Sequence, residues 1–280
     1  MISAIMSEHE LLTLLPIILS LLLAGLVAGF LAGLLGVGGG IVIVPVLYQL
    51  MSTLQVEESS RMHIAVATSL ATIVATSISS VRAHYRHGAI DMILVKTLSP
   101  YIFLGAVVGA LIGGRISSDM LAGLFAIIAL LVAIKIATTN DAQVISTSLP
   151  KGSVRGVIGS SIGLISVLMG IGGGTLGVPI LRACSVPMRR AVGTAASFGF
   201  IIAVPGVAGF IYTGWNQPDL PLGNLGYVNL IGVAIIIPMT ILFAPLGAKV
   251  AHTIKPDLLR YAFSGFLTLT AIRMAYGIFT

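Results

Sequence analysis

Two glycine-rich stretches carry the residue types in this chain that are best suited to bind a ligand. They run from Gly36 to Pro45 and from Gly170 to Pro179, and both have the pattern G-x-G-G-G-x-x-x-V-P inside long apolar sequence. Glycines free the backbone to leave a helix and to turn its own N–H groups toward a ligand. Exposed backbone polar groups at membrane depth are tolerated only beside protein or an aqueous cavity. The repeated break therefore predicts the wall of a binding site.

The chemistry expected at these breaks is anion binding. A helix is expected to begin just after each glycine run, where free N–H groups and the positive end of the helix dipole favour a negative charge. Two such helix ends that meet across a pseudo-twofold axis would hold a small anion without a buried lysine. Hydroxyls on the following small-residue segments could close the site from the side. The candidate substrate-binding residues are Gly36, Gly38, Gly39, Gly40, Gly170, Gly172, Gly173, Gly174, Thr175, Thr68, Ser69, Thr194 and Ser197.

Purely structural roles compete with this interpretation. Glycines in membrane helices also allow close helix packing, and Ser or Thr hydroxyls commonly bond the preceding turn of their own helix. The presence of two copies at matching positions favours a binding site for the glycines, whereas the hydroxyls are open to either role. A dinucleotide-binding fingerprint is excluded, because no strand precedes the glycines and no acidic partner follows in a βαβ unit.

The composition predicts an all-α polytopic membrane protein. Of the 280 residues, 57% are hydrophobic and 9% are charged, whereas ordinary soluble domains contain about 25% charged residues. The apolar sequence comes in long blocks rather than in the alternating strands of a membrane barrel. Basic residues are scattered through short loops without interleaved aromatic residues, which argues against nucleic-acid binding.

The apolar segments repeat in the same order in two halves. Each half has a lead segment that ends at the glycine break, a short apolar segment after it, and three further segments. We expect the first repeat at 1–140, a cytoplasmic linker at 141–153 and the second repeat at 154–280. The expected segments are 11–35, 41–52, 63–81, 92–114 and 120–137, then 154–169, 175–184, 191–212, 227–247 and 257–279.

Loop charges predict that the two halves have inverted topology. The loop before the third segment holds Glu57 and Glu58 in the first half but Arg189 and Arg190 in the second, and the next loop reverses this asymmetry. Lysine and arginine collect on the cytoplasmic side of a membrane, so equivalent loops are expected to face opposite sides. This requires five segments per half, with the glycine break at the turn of a hairpin and both termini outside. Many secondary transporters bind substrate at the interface of inverted repeats.

The other polar residues predict neither an enzyme nor a metal site. His63, His84 and His87 have no cysteine or carboxylate partner at metal-ligand spacing. The single cysteine, Cys184, is expected to be a packing residue, and no H-E-x-x-H metalloprotease motif occurs. No cofactor is expected. One of the histidines, His63, could carry a coupling proton.

With both motifs in place, the chain resembles the sulfite exporter TauE/SafE family of bacterial membrane permeases. The resemblance rests on Gly36 to Pro45 with Ala65 to Ser69, and on Gly170 to Pro179 with Ala191 to Thr194. It implies transport of a small sulfur-containing anion, such as sulfite, a sulfonate, sulfoacetate or thiosulfate. The second copy has an alanine after its threonine where the first has Ser69, which weakens a symmetric role for these hydroxyls.

We therefore expect a multi-pass secondary transporter of the bacterial inner membrane, with a small anion and membrane lipid as its partners. The alternatives are a membrane scaffold or assembly factor whose glycines only pack helices, and a channel with the same site. An anion imported against the inside-negative potential needs coupling, whereas an exported one does not. Direction, coupling ion and oligomeric state stay open at this point.

Overall fold

The structure, a computed structural model, describes residues 8–35, 39–138, 149–250 and 256–279. In these residues the chain forms ten α-helices and one two-stranded antiparallel hairpin. The helices are α1 (Glu8–Leu35), α2 (Gly40–Thr53), α3 (Glu58–Arg86), α4 (Met92–Gly113), α5 (Ser118–Thr138), α6 (Ser153–Leu168), α7 (Gly174–Ala183), α8 (Met188–Gly214), α9 (Leu230–Val250) and α10 (Pro256–Phe279), with β1 (Asn224–Leu225) and β2 (Val228–Asn229) between α8 and α9.

The helix lengths fit a polytopic membrane protein. Six helices in the described residues are long and apolar enough to cross a bilayer, and they lie within α1, α3, α4, α5, α8 and α9. The helices that follow the glycine breaks are shorter, with 14 residues in α2 and 10 in α7. At about 1.5 Å per residue each spans at most about two thirds of the hydrocarbon core. The prediction of a helical multi-pass membrane protein is therefore confirmed.

Several predicted boundaries are wrong, and polar helix ends explain most of them. The helix α3 was expected only over 63–81 but extends from Glu58 to Arg86, so its charged ends continue the helix beyond the apolar block. The segment expected at 227–247 begins as a helix only at Leu230, because the residues before it pair in the unpredicted hairpin. The predicted linker 141–153 lies mostly outside the described residues, and α6 begins at its last position.

Helices of the first half pack along helices of the second half. A Cβ added to Gly29 of α1 would lie 2.6 Å from the Thr240 Cα of α9, and one added to Gly109 of α4 would lie 2.8 Å from the Leu164 carbonyl oxygen of α6. Such contacts bring backbone against backbone, as small residues commonly do between membrane helices. The two halves therefore share one interior.

The helices α3 and α8 form the centre of this interior and run antiparallel. In each of them 56% of the residues in the most apolar stretch are buried, which is a larger share than in any other spanning helix described here. A Cβ on Gly199 would lie 3.3 Å from Ser77 Cβ, and one on Gly206 would lie 2.9 Å from Leu70 Cδ1, so residue numbers rise along one helix as they fall along the other.

Replacing Gly109 with alanine should destabilise the protein, because the added methyl group meets the α6 backbone. We expect a loss of about 1–3 kcal/mol, measured as a lower midpoint of thermal unfolding in detergent. The matched control is Gly265→Ala on α10, where a Cβ meets nothing within 4 Å and the better helix propensity adds about 0.5–1 kcal/mol. Equal midpoints for the two variants would contradict the close α4–α6 contact.

Candidate functional site

The two glycine breaks meet in the interior of the molecule. A Cβ on Gly40, the first residue of α2, would collide with the carbonyl oxygen of Gly170 and would lie 3.0 Å from Ile171 Cα. Beside this contact lies Ile73 of α3, whose Cδ1 atom would be 2.9 Å from the same Cβ. Gly36 and Gly38 lie outside the described residues. The break regions therefore approach each other through backbone atoms.

The second break ends α6 and fixes the direction of the chain after it. Gly170 has φ 62°, a left-handed conformation that glycine adopts without strain. The N–H of Gly170 donates to the carbonyl of Val167 at 3.0 Å, and the N–H of Ile171 donates to that of Ser166 at 2.9 Å. This pattern closes the helix C-terminus as a Schellman motif. Ser69 Oγ of α3 donates to the Gly170 carbonyl at 2.7 Å, so α3 holds the break in place.

Both short helices begin at the breaks and point their N-termini into the interior. Gly39, with φ 69°, is the N-cap of α2, and Gly173 is the N-cap of α7; neither helix has a side-chain cap. The first intrahelical hydrogen bond of α2 runs from Val42 N–H to the Gly39 carbonyl at 3.0 Å. That of α7 runs from Gly177 N–H to the Gly173 carbonyl at 2.8 Å. The first N–H groups of each helix precede these bonds, which is the feature that lets a helix N-terminus bind an anion.

The described glycines of both breaks are buried and closely packed. A Cβ on Gly173 would lie 2.7 Å from the Ala195 carbonyl oxygen and 3.0 Å from the Gly199 nitrogen, and Gly172 and Gly174 beside it are also buried. Neither of the two surface clefts described below is lined by these glycines. Neighbouring helices therefore cover the described glycines of both breaks.

Two predicted hydroxyls make equivalent contacts in the two halves. Thr68 Oγ1 of α3 accepts a hydrogen bond from Asn229 N–H at 2.9 Å, and Thr194 Oγ1 of α8 accepts one from Asp91 N–H at 3.0 Å. The two donor residues directly precede α9 and α4. Each threonine therefore holds the start of a helix, and both threonines are completely buried.

Sequence reasoning missed the two residues that these threonines hold. The side chain of Asp91 accepts from Ile93 N–H at 3.0 Å, and Asn229 Oδ1 accepts from Gly232 N–H at 2.7 Å. Both side chains thus bond to the first turn of the helix that follows. The available signal was an Asp or Asn just before an apolar block, since these residues favour helix N-caps.

The two remaining predicted site residues differ in how far they are buried. Thr175 lies in the first turn of α7 and is buried, whereas Ser197 of α8 is partly exposed. Among the predicted residues, the structure brings Gly40, Gly170 and Ser69 together by the contacts given above. Whether any of them contacts a substrate stays a prediction.

Two open clefts lie at the end of the molecule where α3 begins. The first, here called the arginine cleft, has a volume of about 640 Å³ and includes Arg115 and the only tryptophan of the chain, Trp215. The second, here called the acidic cleft, has a volume of about 620 Å³ and includes Glu57 and Asp219. This end therefore presents separate surfaces that attract anions and cations.

The opposite end gathers arginines from the ends of three helices. Arg189 Nη2 donates to the His87 carbonyl at 2.9 Å, and a Cβ on Gly193 would lie 3.0 Å from Ala89 Cβ. The loop after α3 and the loop before α8 therefore lie side by side. The adjoining helix ends carry five arginines, which are Arg82 and Arg86 of α3, Arg182 of α7, and Arg189 and Arg190 of α8.

Comparison with known proteins places the chain among membrane transporters. A probable membrane transporter protein of Haemophilus influenzae is 38% identical over 243 residues, which cover 86% of this chain and 91% of that protein. One of Methanocaldococcus jannaschii is 31% identical over 272 residues, with 95% and 97% covered. The probable membrane transporter protein YunE of Bacillus subtilis is 26% identical, with 88% and 93% covered. No solved structure matches the chain.

The family model described as sulfite exporter TauE/SafE matches residues 21–274. This range contains both glycine breaks and all of the helices α2 to α9. The resemblance that the two motifs indicated is confirmed, as is the expectation of a transporter rather than an enzyme. The chain belongs to the sulfite exporter TauE/SafE family of membrane transport proteins.

Proposed function

We propose that this protein is a secondary transporter that moves a small sulfur-containing anion across the bacterial inner membrane. The substrate class is sulfite, a sulfonate, sulfoacetate or thiosulfate, as the family name suggests. The observation that carries the proposal is the meeting of two glycine-led breaks, each followed by a helix N-terminus that points into the interior. Amides and helix dipoles in this arrangement would replace the water around an anion.

The two halves form inverted repeats in this proposal. Its support is the antiparallel crossing of α3 and α8, which are the third helices of their halves. The matched bonds of Thr68 and Thr194 add to it, since each connects the third helix of one half to the fourth of the other. The end with the clustered arginines of α3, α7 and α8 is cytoplasmic by the positive-inside rule, and the end with the two clefts is external.

The transport cycle follows from the closed packing at the breaks. The glycines touch backbone on neighbouring helices, so α2 and α7 cannot admit an anion without moving relative to α3 and α8. Rocking of one group of helices against the other would expose the N-termini first to one side and then to the other, as in other inverted-repeat transporters. The arginine cleft, with its guanidinium at the external end, lies where an anion would enter or leave.

A scaffold role is the second candidate, and one observation favours it. The glycines described here are packed so closely that helix packing alone would explain their presence. The transporter names of the relatives favour the first candidate. Substrate binding separates the two, because a scaffold has no reason to bind a sulfur anion.

Inverted topology predicts that equivalent loops are accessible from opposite sides. Single cysteines introduced as His87→Cys, after α3, and Asn216→Cys, after α8, occupy exposed positions. With the native cysteine removed by Cys184→Ala, an impermeant maleimide should label Asn216→Cys from outside intact spheroplasts. It should label His87→Cys only in inside-out vesicles. Labelling of both positions from one side would overturn the inverted arrangement.

Anion binding predicts a thermal shift that survives matched ionic strength. Sulfite, thiosulfate and sulfoacetate should be tested against sodium chloride at equal ionic strength, and at least one should raise the unfolding midpoint of the purified protein. The same anion should enter or leave proteoliposomes faster than protein-free liposomes. The scaffold candidate would be supported if none of these anions raised the unfolding midpoint and none crossed proteoliposomes faster than protein-free liposomes.

Removal of the Ser69 hydroxyl should weaken anion binding, because the Gly170 carbonyl loses the donor that fixes the break. In Ser69→Ala we expect about tenfold lower apparent affinity, equivalent to about 1.4 kcal/mol. The matched control is Ser77→Ala, also buried on α3, whose hydroxyl donates to the Ile73 carbonyl of its own helix at 2.6 Å. Equal affinities for the two variants would argue against a role of the second break in binding.

A further inference from the structure

A buried histidine near the second break has one nitrogen without a partner. His63 of α3 is 3% exposed, and its Nε2 atom lies 3.0 Å from the carbonyl oxygen of Ile116. A carbonyl only accepts, so Nε2 carries the ring proton and Nδ1 presents a lone pair. No hydrogen-bond partner reaches Nδ1. The ring is therefore a buried base with an unoccupied position for a proton.

The surroundings of the ring act on its protonation in opposite directions. The ring of Tyr227 stacks on it with centroids 4.7 Å apart and planes 22° apart, and the ring of Phe210 is edge-on to it with its centroid 6.4 Å away. The carbonyls of Ser59 and Gly113 also face it. Burial opposes a charge here, whereas aromatic faces and carbonyl dipoles stabilise one. Burial also raises the pKa of Tyr227, which keeps that ring neutral.

The histidine lies on a face of α3 that runs from the acidic cleft toward the second break. Ser60 is one turn before it and also has a buried Oγ atom without a hydrogen-bond partner, and the Ser60 N–H donates to the carbonyl of Glu57 at 3.0 Å. One turn after it is Val66, whose Cα lies 2.9 Å from a Cβ added to Gly170. Residues three apart are neighbours on a helix surface. The helix α3 thus connects the histidine both to the acidic cleft and to the second break.

Other titratable groups lie at the same end of the molecule as the ring. They come from the start of α3, the α4–α5 turn and the loop between α8 and α9. Besides Tyr227, they are Glu57, Glu58, Arg61, Arg115, Asp119 and Asp219.

We propose that His63 is the proton-binding site that couples anion transport to the proton gradient. The proposal rests on the transport function above and deepens it. The Nδ1 atom takes up a proton as the anion occupies the helix ends beyond the second break, which contacts the helix of His63 at Val66, and it releases the proton after the anion has left. Proton and anion move in the same direction, so each proton offsets one negative charge: a monoanion then crosses the membrane potential with no net charge, and a dianion such as thiosulfate with one.

Proteoliposomes with radiolabelled thiosulfate or sulfoacetate separate coupled transport from binding alone. The wild type should accumulate label when the outside is acidic, and should exchange label at equal pH on both sides. The variant His63→Gln keeps a donor toward the Ile116 carbonyl but cannot bind the proton. It should lose gradient-driven accumulation by about tenfold or more and retain exchange within about twofold of wild type. The control His87→Gln, at an exposed loop position, should retain both activities.

Proton uptake gives a second readout that does not depend on turnover. Thiosulfate or sulfoacetate added to weakly buffered, purified protein should cause proton uptake in the wild type and not in His63→Gln. Accumulation or proton uptake by His63→Gln at wild-type levels would overturn the proposal. So would wild-type exchange that a pH gradient does not convert into accumulation. A wild type with neither exchange nor anion-dependent stabilisation would instead refute the transport function itself.

Discussion

The contact between the Gly40 backbone and the Gly170 carbonyl is the constraint on which the centre of this structure depends. It brings the start of α2 against the end of α6, and no residue with a Cβ fits at either position without displacing backbone. Val44, Val66 and Ile73 pack around the contact, and Ser69 bonds the carbonyl that lies in it. The start of α2 and the end of α6 thereby belong to one continuous interior. Any movement of these helices relative to each other must open this contact.

The halves interlock rather than stand as separate domains. The helix α1 packs along α9 and α4 packs along α6, through close contacts at small residues such as Gly29 and Gly109. The bonds from Asn229 to Thr68 and from Asp91 to Thr194 link the halves again in equivalent positions. Separation of the halves as rigid units would break all of these contacts, so movement of helices within this shared frame is the mechanically simpler cycle.

Matched positions of the halves differ where the proposed chemistry needs them to differ. Thr68 and Thr194 correspond, so His63 corresponds to Arg189, five residues earlier in each case. The histidine is buried among aromatic rings, whereas Arg189 is exposed and bonds the His87 carbonyl. An arginine side chain is not deprotonated in proteins, so it cannot release a proton as a histidine can. One proton site per molecule is therefore compatible with the proposed inverted repeats.

The sequence by itself determined the membrane class, the two-half order of segments and the glycine breaks, because apolar run length and glycine content act locally along the chain. It also located α2 and α7, whose short apolar runs follow the glycines directly. Only the tertiary structure decided that Gly40 meets Gly170, that Thr68 and Thr194 hold the starts of other helices, and that His63 has a free nitrogen beside Tyr227. These features arise from contacts between residues as many as 164 positions apart in the chain, since Tyr227 follows His63 by that distance. Composition and periodicity do not encode which distant helix faces meet.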